Sequence, residues 1–196
     1  MRFIAISDTH GCHRQLNLPE GDVILHAGDV CNKGDAAQVH DFIEWFAGLD
    51  YKHKIFISGN HDIDLNQNTS LITKLLPSEI TFLNGTFYQV ENFSIWGTPT
   101  EEAGKTPFQE LLPDYVDILL THRPPFGILD QAPDGKSKGS RRLLAKVMEM
   151  KPKVHLYGHI HASYGQFQGE NTYFINASNY RASARRIVNP PVVVDL

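Results

Sequence analysis

Short, uninterrupted apolar runs separated by polar breaks organise the first half of the chain. Arg2–Ser7, Val23–Ala27, His53–Ser58 and Val116–Thr121 are rich in Val, Ile, Leu and Phe, and each is bounded by Gly, Asp or Asn. Such runs predict strands. Runs without polar alternation belong to strands buried on both faces, as in a parallel sheet covered by helices. Between them, Asp35–Leu49 sets Val39, Phe42, Ile43 and Phe46 on one helical face behind a Gly34-Asp35 start signal. Asn68–Leu76 and Ser140–Met150 also read as helices, the second with a stripe of Leu143, Leu144 and Val147. The first 60 residues thus read β, β, α, β, an α/β architecture.

The later chain is richer in strands. Phe87–Val90, Phe93–Gly97, Val154–Gly158, Ala162–Gln168, Tyr173–Asn176 and Val192–Asp195 fit the pattern, and Gly169-Glu170-Asn171 reads as a hairpin turn. The simplest arrangement is two packed sheets with helices outside both. No linker, repeat or low-complexity tract divides the chain, so one domain over 1–196 is expected. His122–Lys138, with Pro124-Pro125, Pro133 and Gly135, reads as a long loop of the kind that carries function.

Potential metal ligands stand just after the apolar runs: Asp8-Thr9-His10, Gly28-Asp29, Gly59-Asn60-His61-Asp62, His122 and Gly158-His159-Ile160-His161. In open α/β sheets ligands bind beyond the carboxyl ends of strands, so these ends are expected to share one crevice. Residues i and i+2 of an extended segment face the same way. On that geometry Asp8 and His10 reach one ion, and His159 and His161 repeat the arrangement. Carboxylate, amide and imidazole donors suit Mn²⁺, Fe²⁺ or Zn²⁺. The lack of thiolates argues against a closed structural zinc site. Paired ions ~3.5–4 Å apart clamp an in-line displacement at phosphorus and activate water as the attacking hydroxide. His61, adjacent to Asn60, is expected to point away from the ligand face and to donate a proton to the leaving alkoxide. Asp62 is expected to hold its ring.

Charge and cysteine usage narrow the field. The net charge of −4 carries no basic bias, which disfavours long nucleic acids as partners. Weak basic clusters at Lys136–Arg142 and Arg181–Arg186 read as solvated surface. His13, His26, His40, His53 and His155 read as surface or core histidines outside the motifs. Cys12 and Cys31 form no disulfide framework and read as two free thiols filling space, or as a pair near the rim of the site. No apolar run reaches the length of a membrane span, and Met1–Ser7 is too short for a signal peptide, so a cytoplasmic location is expected. Asn176-Ala177-Ser178-Asn179 reads as a turn satisfying local backbone, or as a donor of hydrogen bonds to a base or ribose.

The ordered set Asp8-Thr9-His10, Gly28-Asp29-Val30, Gly59-Asn60-His61-Asp62, Thr121-His122 and Gly158-His159-Ile160-His161 resembles the calcineurin-like metallophosphoesterase superfamily. The resemblance implies a four-layer α/β/β/α sandwich with two mixed sheets. It implies one metal held by Asp8, His10, Asp29 and His161, and a second held by the bridging Asp29 with Asn60, His122 and His159. His61 would be the proton donor, oriented by Asp62. Ile6–His10, Thr121–Pro125, Ile175–Ser178 and Asn189–Val192 look like the metallophosphoesterase-domain (MPPED) subgroup. That likeness implies a phosphodiesterase for small nucleotide-like diesters, cyclic nucleotides included, using two divalent ions. Mn²⁺ is the implied metal, with Fe²⁺, Fe³⁺ or Zn²⁺ compatible. Retention of His159 implies an intact site. Arg123 replaces a glycine common in the subgroup. It is either a substrate-binding phosphate clamp or a surface residue of the loop. A phosphomonoesterase or phosphoprotein phosphatase is the alternative, and would need extra cations beside the motifs, where only Arg14 and Arg123 stand. A non-catalytic scaffold would be expected to have lost ligands that this chain keeps. The sequence sets no oligomeric state.

Overall fold

Strands β1 (Arg2–Ile6), β2 (Val23–His26), β3 (His53–Phe56) and β4 (Ile80–Phe82) lie parallel and adjacent, and antiparallel β13 (Val192–Asp195) closes the β1 edge. In the second sheet, β6 (Phe93–Thr98), β7 (Ile118–Thr121), β8 (Val154–Tyr157) and β10 (Tyr173–Asn176) run parallel. Antiparallel β5 (Thr86–Val90) and β9 (Gly165–Gln168) form its edges. The computed structural model describes residues 1–67, 72, 76–98 and 112–196.

The two faces of each strand explain the unbroken apolar runs. In β1, Phe3 and Ala5 enter a core shared by both sheets, with Leu25, Ile55, Ile118, Leu120, Leu156 and Ile175. Ile4 and Ile6 point the other way, toward Phe42 and Phe46 of α1 (Ala36–Ala47). On the far side, Leu119, Tyr157 and Phe174 pack against Leu143, Val147 and Met150 of α3 (Arg141–Met150). Full burial of a large apolar side chain contributes roughly 1.5–3 kcal/mol, so both helices are held chiefly by these stripes. Their starts are capped as the sequence suggests. Asp35 accepts from the N–H groups of Ala37 and Gln38, and Ser140 accepts from Leu143 N–H. The result is the expected α/β/β/α layering.

The sheets are tied together where β1 and β10 end. Ser7 and Ser178 form an isolated parallel bridge. Asn179 N–H donates to Ser7 O at 2.9 Å, and Ser7 N–H donates to Asn179 Oδ1 at 3.0 Å. Asp8 follows Ser7 directly, so the first ligand motif stands at this joint.

Several elements differ from the sequence reading. The strand expected over Ala162–Gln168 begins only at Gly165. His161–Ser163 forms a 3₁₀ turn instead, closed by Ser163 N–H on Ile160 O at 2.9 Å. β4, the short helix α2 (Ile63–Gln67) and the two-residue strands β11 (Tyr180–Arg181) and β12 (Arg186–Ile187) were not anticipated. They are too short to display a period. Most of the helix expected over Asn68–Leu76 lies outside the described residues. His122–Lys138 is a loop, pinned by buried Asp130, which accepts from Gly127 N–H and Gly139 N–H at 2.9 and 3.0 Å.

Candidate metal centre

Two groups of donors meet beyond the carboxyl ends of β1, β2, β7 and β8. Asp8, His10 and His161 form one, and Asp29, His122 and His159 the other, with the donor atoms of each group within 4.8 Å of one another. The extended i, i+2 geometry does not build them. Asp8, His10, Asp29 and His159 have left-handed backbones, with φ of 52°, 45°, 59° and 68°, a conformation in which Asp and His are over-represented. His159 and His161 do not act as an i, i+2 pair on one group but are divided between the two, as the family resemblance implies.

Close approach of the turns depends on glycine. A Cβ at Gly158 would lie 2.0 Å from Asp8 Oδ2, and one at Gly59 would lie 2.2 Å from Asp29 Oδ1. Neither position tolerates a side chain.

Hydrogen bonds aim the imidazoles. His10 Nδ1 lies 3.2 Å from Cys31 O, and His122 Nδ1 lies 2.9 Å from Ala27 O. A carbonyl can only accept, so each Nδ1 carries the proton and each Nε2 turns inward. His122 Nε2 then faces Asn60 Oδ1 at 3.0 Å and Asp29 Oδ2 at 3.3 Å. His10 Nε2 faces His161 Nε2 at 3.2 Å and Asp29 Oδ2 at 3.8 Å. Electron-pair donors thus converge on one another, an arrangement that requires a cation or an extra proton between them. The same Asp29 oxygen looks toward both groups. This donor set fits two divalent ions.

The electrostatics follow from that convergence. Burial alone would raise the Asp8 carboxyl, but the His161 hydrogen bond and the neighbouring imidazoles of His122 and His10 hold it well below the usual carboxylate range. Asp29 is lowered likewise, its burial outweighed chiefly by His122. Burial would lower His122, yet Asp29 and Asp8 raise it to about 9. His159, buried beside His122, is lowered to about 4.

Asp62 does not orient His61. Its carboxylate is fully buried and accepts from the backbone N–H groups of Gly59, Asp29, Val30 and Cys31 at 2.8–3.2 Å. It therefore shapes the loop that presents Asp29. The His61 ring lies beside that of His10, with centroids 4.9 Å apart, rather than turned away from the ligands. Its Nδ1 accepts a long 3.4 Å contact from Lys33 N–H, and the His61 backbone N–H donates to Asp29 Oδ1 at 2.8 Å.

Arg123 is exposed beside the second group, where its charge contributes to lowering His159. Arg14 is engaged elsewhere, bidentate to Asp41 through Nε to Oδ2 at 3.2 Å and Nη2 to Oδ1 at 2.7 Å. Asn176 and Asn179 are fully buried and satisfy backbone carbonyls, so they are not available to a base or ribose. Cys12 and Cys31 are free thiols, with Cys31 buried and pushed up to about 12 by desolvation and Asp62. Two contributors escaped the sequence reading. Ser178 donates to Asp8, and the Tyr180 ring lies 4.9 Å from that of His10. The only signal for either was position just after a strand.

Comparison with known proteins bears directly on this geometry. The calcineurin-like phosphoesterase family model matches residues 1–163. The chain is 33% identical to "Metallophosphoesterase domain-containing protein 1" of Homo sapiens, over 100% of this chain and 71% of the relative. It is 31% identical to the "UPF0046 protein C25E10.12" of Caenorhabditis elegans, over 100% of this chain and 81% of that one. The structure titled "GAP50 the anchor in the inner membrane complex of Plasmodium" shares the fold, with a TM-score of 0.57 at 12% identity over 91% of this chain and 71% of that one. Among the described residues no helix is long and apolar enough to cross a membrane.

Proposed function

Because the chain belongs to the calcineurin-like phosphoesterase family, we propose that it is a metal-dependent phosphodiesterase acting on small nucleotide-like diesters, cyclic nucleotides among them. The observation that carries this reading is the pair of adjoining donor groups sharing the Asp29 carboxylate. Asp8, His10, Asp29 and His161 would hold one ion, and Asp29, Asn60, His122 and His159 the other, with Mn²⁺ proposed as the metal and Fe or Zn²⁺ compatible. When bound, the ions supply Lewis acidity to the phosphoryl oxygens and a nucleophilic water at neutral pH.

The remaining steps belong to side chains. His61 stands at the edge of the first group, its Nε2 without a hydrogen bond among the described residues, and serves as proton donor to the departing alkoxide. The 3.4 Å contact at its Nδ1 is weak enough to yield when the ring takes a second proton. Arg123, whose charge reaches His159 of the second group, would steady a phosphoryl oxygen.

A diester is favoured over a monoester by the state of the arginines. A monoester brings a second negative charge to the site, and Arg14 is already committed to Asp41. The test is an assay of metal-stripped protein with added Mn²⁺ on bis-p-nitrophenyl phosphate beside p-nitrophenyl phosphate. Mn²⁺-dependent cleavage of the diester is expected. Preference for the monoester would replace this reading with a phosphatase, and metal binding without turnover of either would replace it with a scaffold.

A further inference from the structure

His26, the last residue of β2, is fully buried and has no part in the chemistry above. Its ring lies toward α1, with its centroid 5.1 Å from that of Phe42. An apolar side chain would fill this position without the cost of burying polar atoms. The two ring nitrogens show what the imidazole does there. Gly28 N–H donates to Nδ1 at 3.2 Å, and Nε2 lies 3.0 Å from Thr9 Oγ1. A nitrogen that accepts carries no proton, so the neutral ring keeps its proton on Nε2 and donates it to the Thr9 hydroxyl. Burial favours that neutral form by lowering the pKa to about 3. His26 is thus the opposite tautomer to His10 and His122, whose protons sit on Nδ1.

Both partners of His26 belong to turns that carry ligands. Thr9, itself fully buried, stands between Asp8 and His10, and Gly28 precedes Asp29. Asp8, His10 and Asp29 all have left-handed backbones. That conformation is disfavoured for a residue bearing a Cβ and persists only where its surroundings hold it. The backbone already laces the two turns: Asp8 N–H donates to Gly28 O at 2.9 Å, and His10 N–H to Asp29 O at 3.0 Å. His26 adds a side-chain link that spans both. A similar arrangement recurs in the second sheet. Fully buried His155 on β8 has Nε2 2.9 Å from Thr121 Oγ1, at the end of the adjacent strand β7 and just before the ligand His122. Thr121 Oγ1 donates to Arg123 O at 2.8 Å, so it accepts from that ring. Each sheet therefore sets a buried imidazole against a threonine beside a ligand, a repetition that packing alone does not require.

We propose that His26 is a positioning residue of the metal centre: its imidazole clamps Thr9 and Gly28, and so holds Asp8, His10 and Asp29 in the left-handed turns that bring their donor atoms together. The inference rests on the two-ion reading of the donor set and is independent of the choice between diester and monoester. His26 touches neither an ion nor the substrate and acts through the ligands it holds, as the outer partners of metal ligands do.

The test is titration of metal-stripped full-length protein with Mn²⁺, followed by loss of the free-ion EPR signal, beside thermal melts of the same samples. Thr9→Val removes the hydroxyl with little change of shape, and Thr9→Ser keeps it. T9V should remain folded at the assay temperature and bind Mn²⁺ about tenfold or more weakly, while T9S binds as the wild type does. His26→Phe fills the same apolar surroundings and should weaken binding likewise. Because the two residues act as one clamp, T9V/H26F should bind no worse than the weaker single variant. Should His26→Phe fail to fold, the Thr9 pair decides alone. In ¹⁵N spectra of the metal-free protein, His26 should carry its proton on Nε2 and none on Nδ1. Wild-type affinity in T9V, equal losses in T9V and T9S, losses that multiply in the double variant, or a proton on His26 Nδ1 would overturn the proposal. A wild type that binds no Mn²⁺ would instead overturn the two-ion reading, and the inference with it.

Discussion

Ser178 Oγ donates a 2.9 Å hydrogen bond to Asp8 Oδ2. Asp8 follows the first strand of one sheet and Ser178 the tenth strand of the chain in the other, so a single bond fixes a ligand across the joint between sheets. The same oxygen accepts from His159 N–H at 2.9 Å, and Asp8 Oδ1 lies 3.2 Å from His161 Nε2. Ser178→Ala should therefore weaken Mn²⁺ binding by about 10–100-fold, the usual effect of losing an outer partner of a ligand. Global stability should fall by only ~1 kcal/mol. Titration of metal-stripped protein with Mn²⁺ checks this, and an unchanged affinity would remove Ser178 from the site.

Asp62 is expected to behave as part of the scaffold. Its carboxylate receives four backbone N–H groups from the segments carrying Asn60 and Asp29. In Asp62→Asn an amide N–H must face those donors. A loss of about 2–4 kcal/mol in urea unfolding is expected, together with loss of metal binding. A variant that folds with wild-type stability but turns over slowly would instead restore the role of orienting His61.

The pattern of legibility follows from which interactions are local. The strands of the first sheet were readable because both of their faces are buried, which leaves unbroken runs such as Phe3–Ile6. The ligand residues were readable because strand ends concentrate them in short motifs. Their division into groups followed from the family resemblance and not from strand periodicity, because it depends on the left-handed turns at Asp8 and His159. The task of Asp62 was hidden for a related reason: three of its four partners are backbone amides 29 to 31, more than thirty positions away. Ser178 meets Asp8 only through sheet packing, at a separation of 170 residues.

Asp117 provides a pH test remote from the ligands. Burial would raise its carboxyl, but bonds from Ser94 N–H and Oγ, Lys153 and Tyr115 Oη outweigh it and lower the pKa. A depressed carboxylate contributes stability that is present above its unfolded pKa and lost as pH falls toward the folded value. Wild-type stability should thus decline below about pH 4. Asp117→Asn should be less stable by about 1–3 kcal/mol at neutral pH and show a shallower acid limb. Parallel acid limbs in thermal melts at pH 3 to 7 would contradict the assignment.

The role of His61 is decided by the leaving group. Among the described residues its Nε2 makes no hydrogen bond at the edge of the first donor group, and its removal breaks no side-chain bond to a ligand. The bond that fixes Asp29 comes from the His61 backbone N–H at 2.8 Å, which alanine retains. His61→Ala should therefore fold and bind Mn²⁺ as the wild type does. Its kcat should fall about 10²–10⁴-fold on a diester with an alkyl alcohol leaving group, where the departing oxygen needs a proton. On bis-p-nitrophenyl phosphate, whose phenolate leaves without one, the loss should be far smaller. Equal losses on both substrates would show that His61 acts on the bound phosphate rather than on the leaving oxygen.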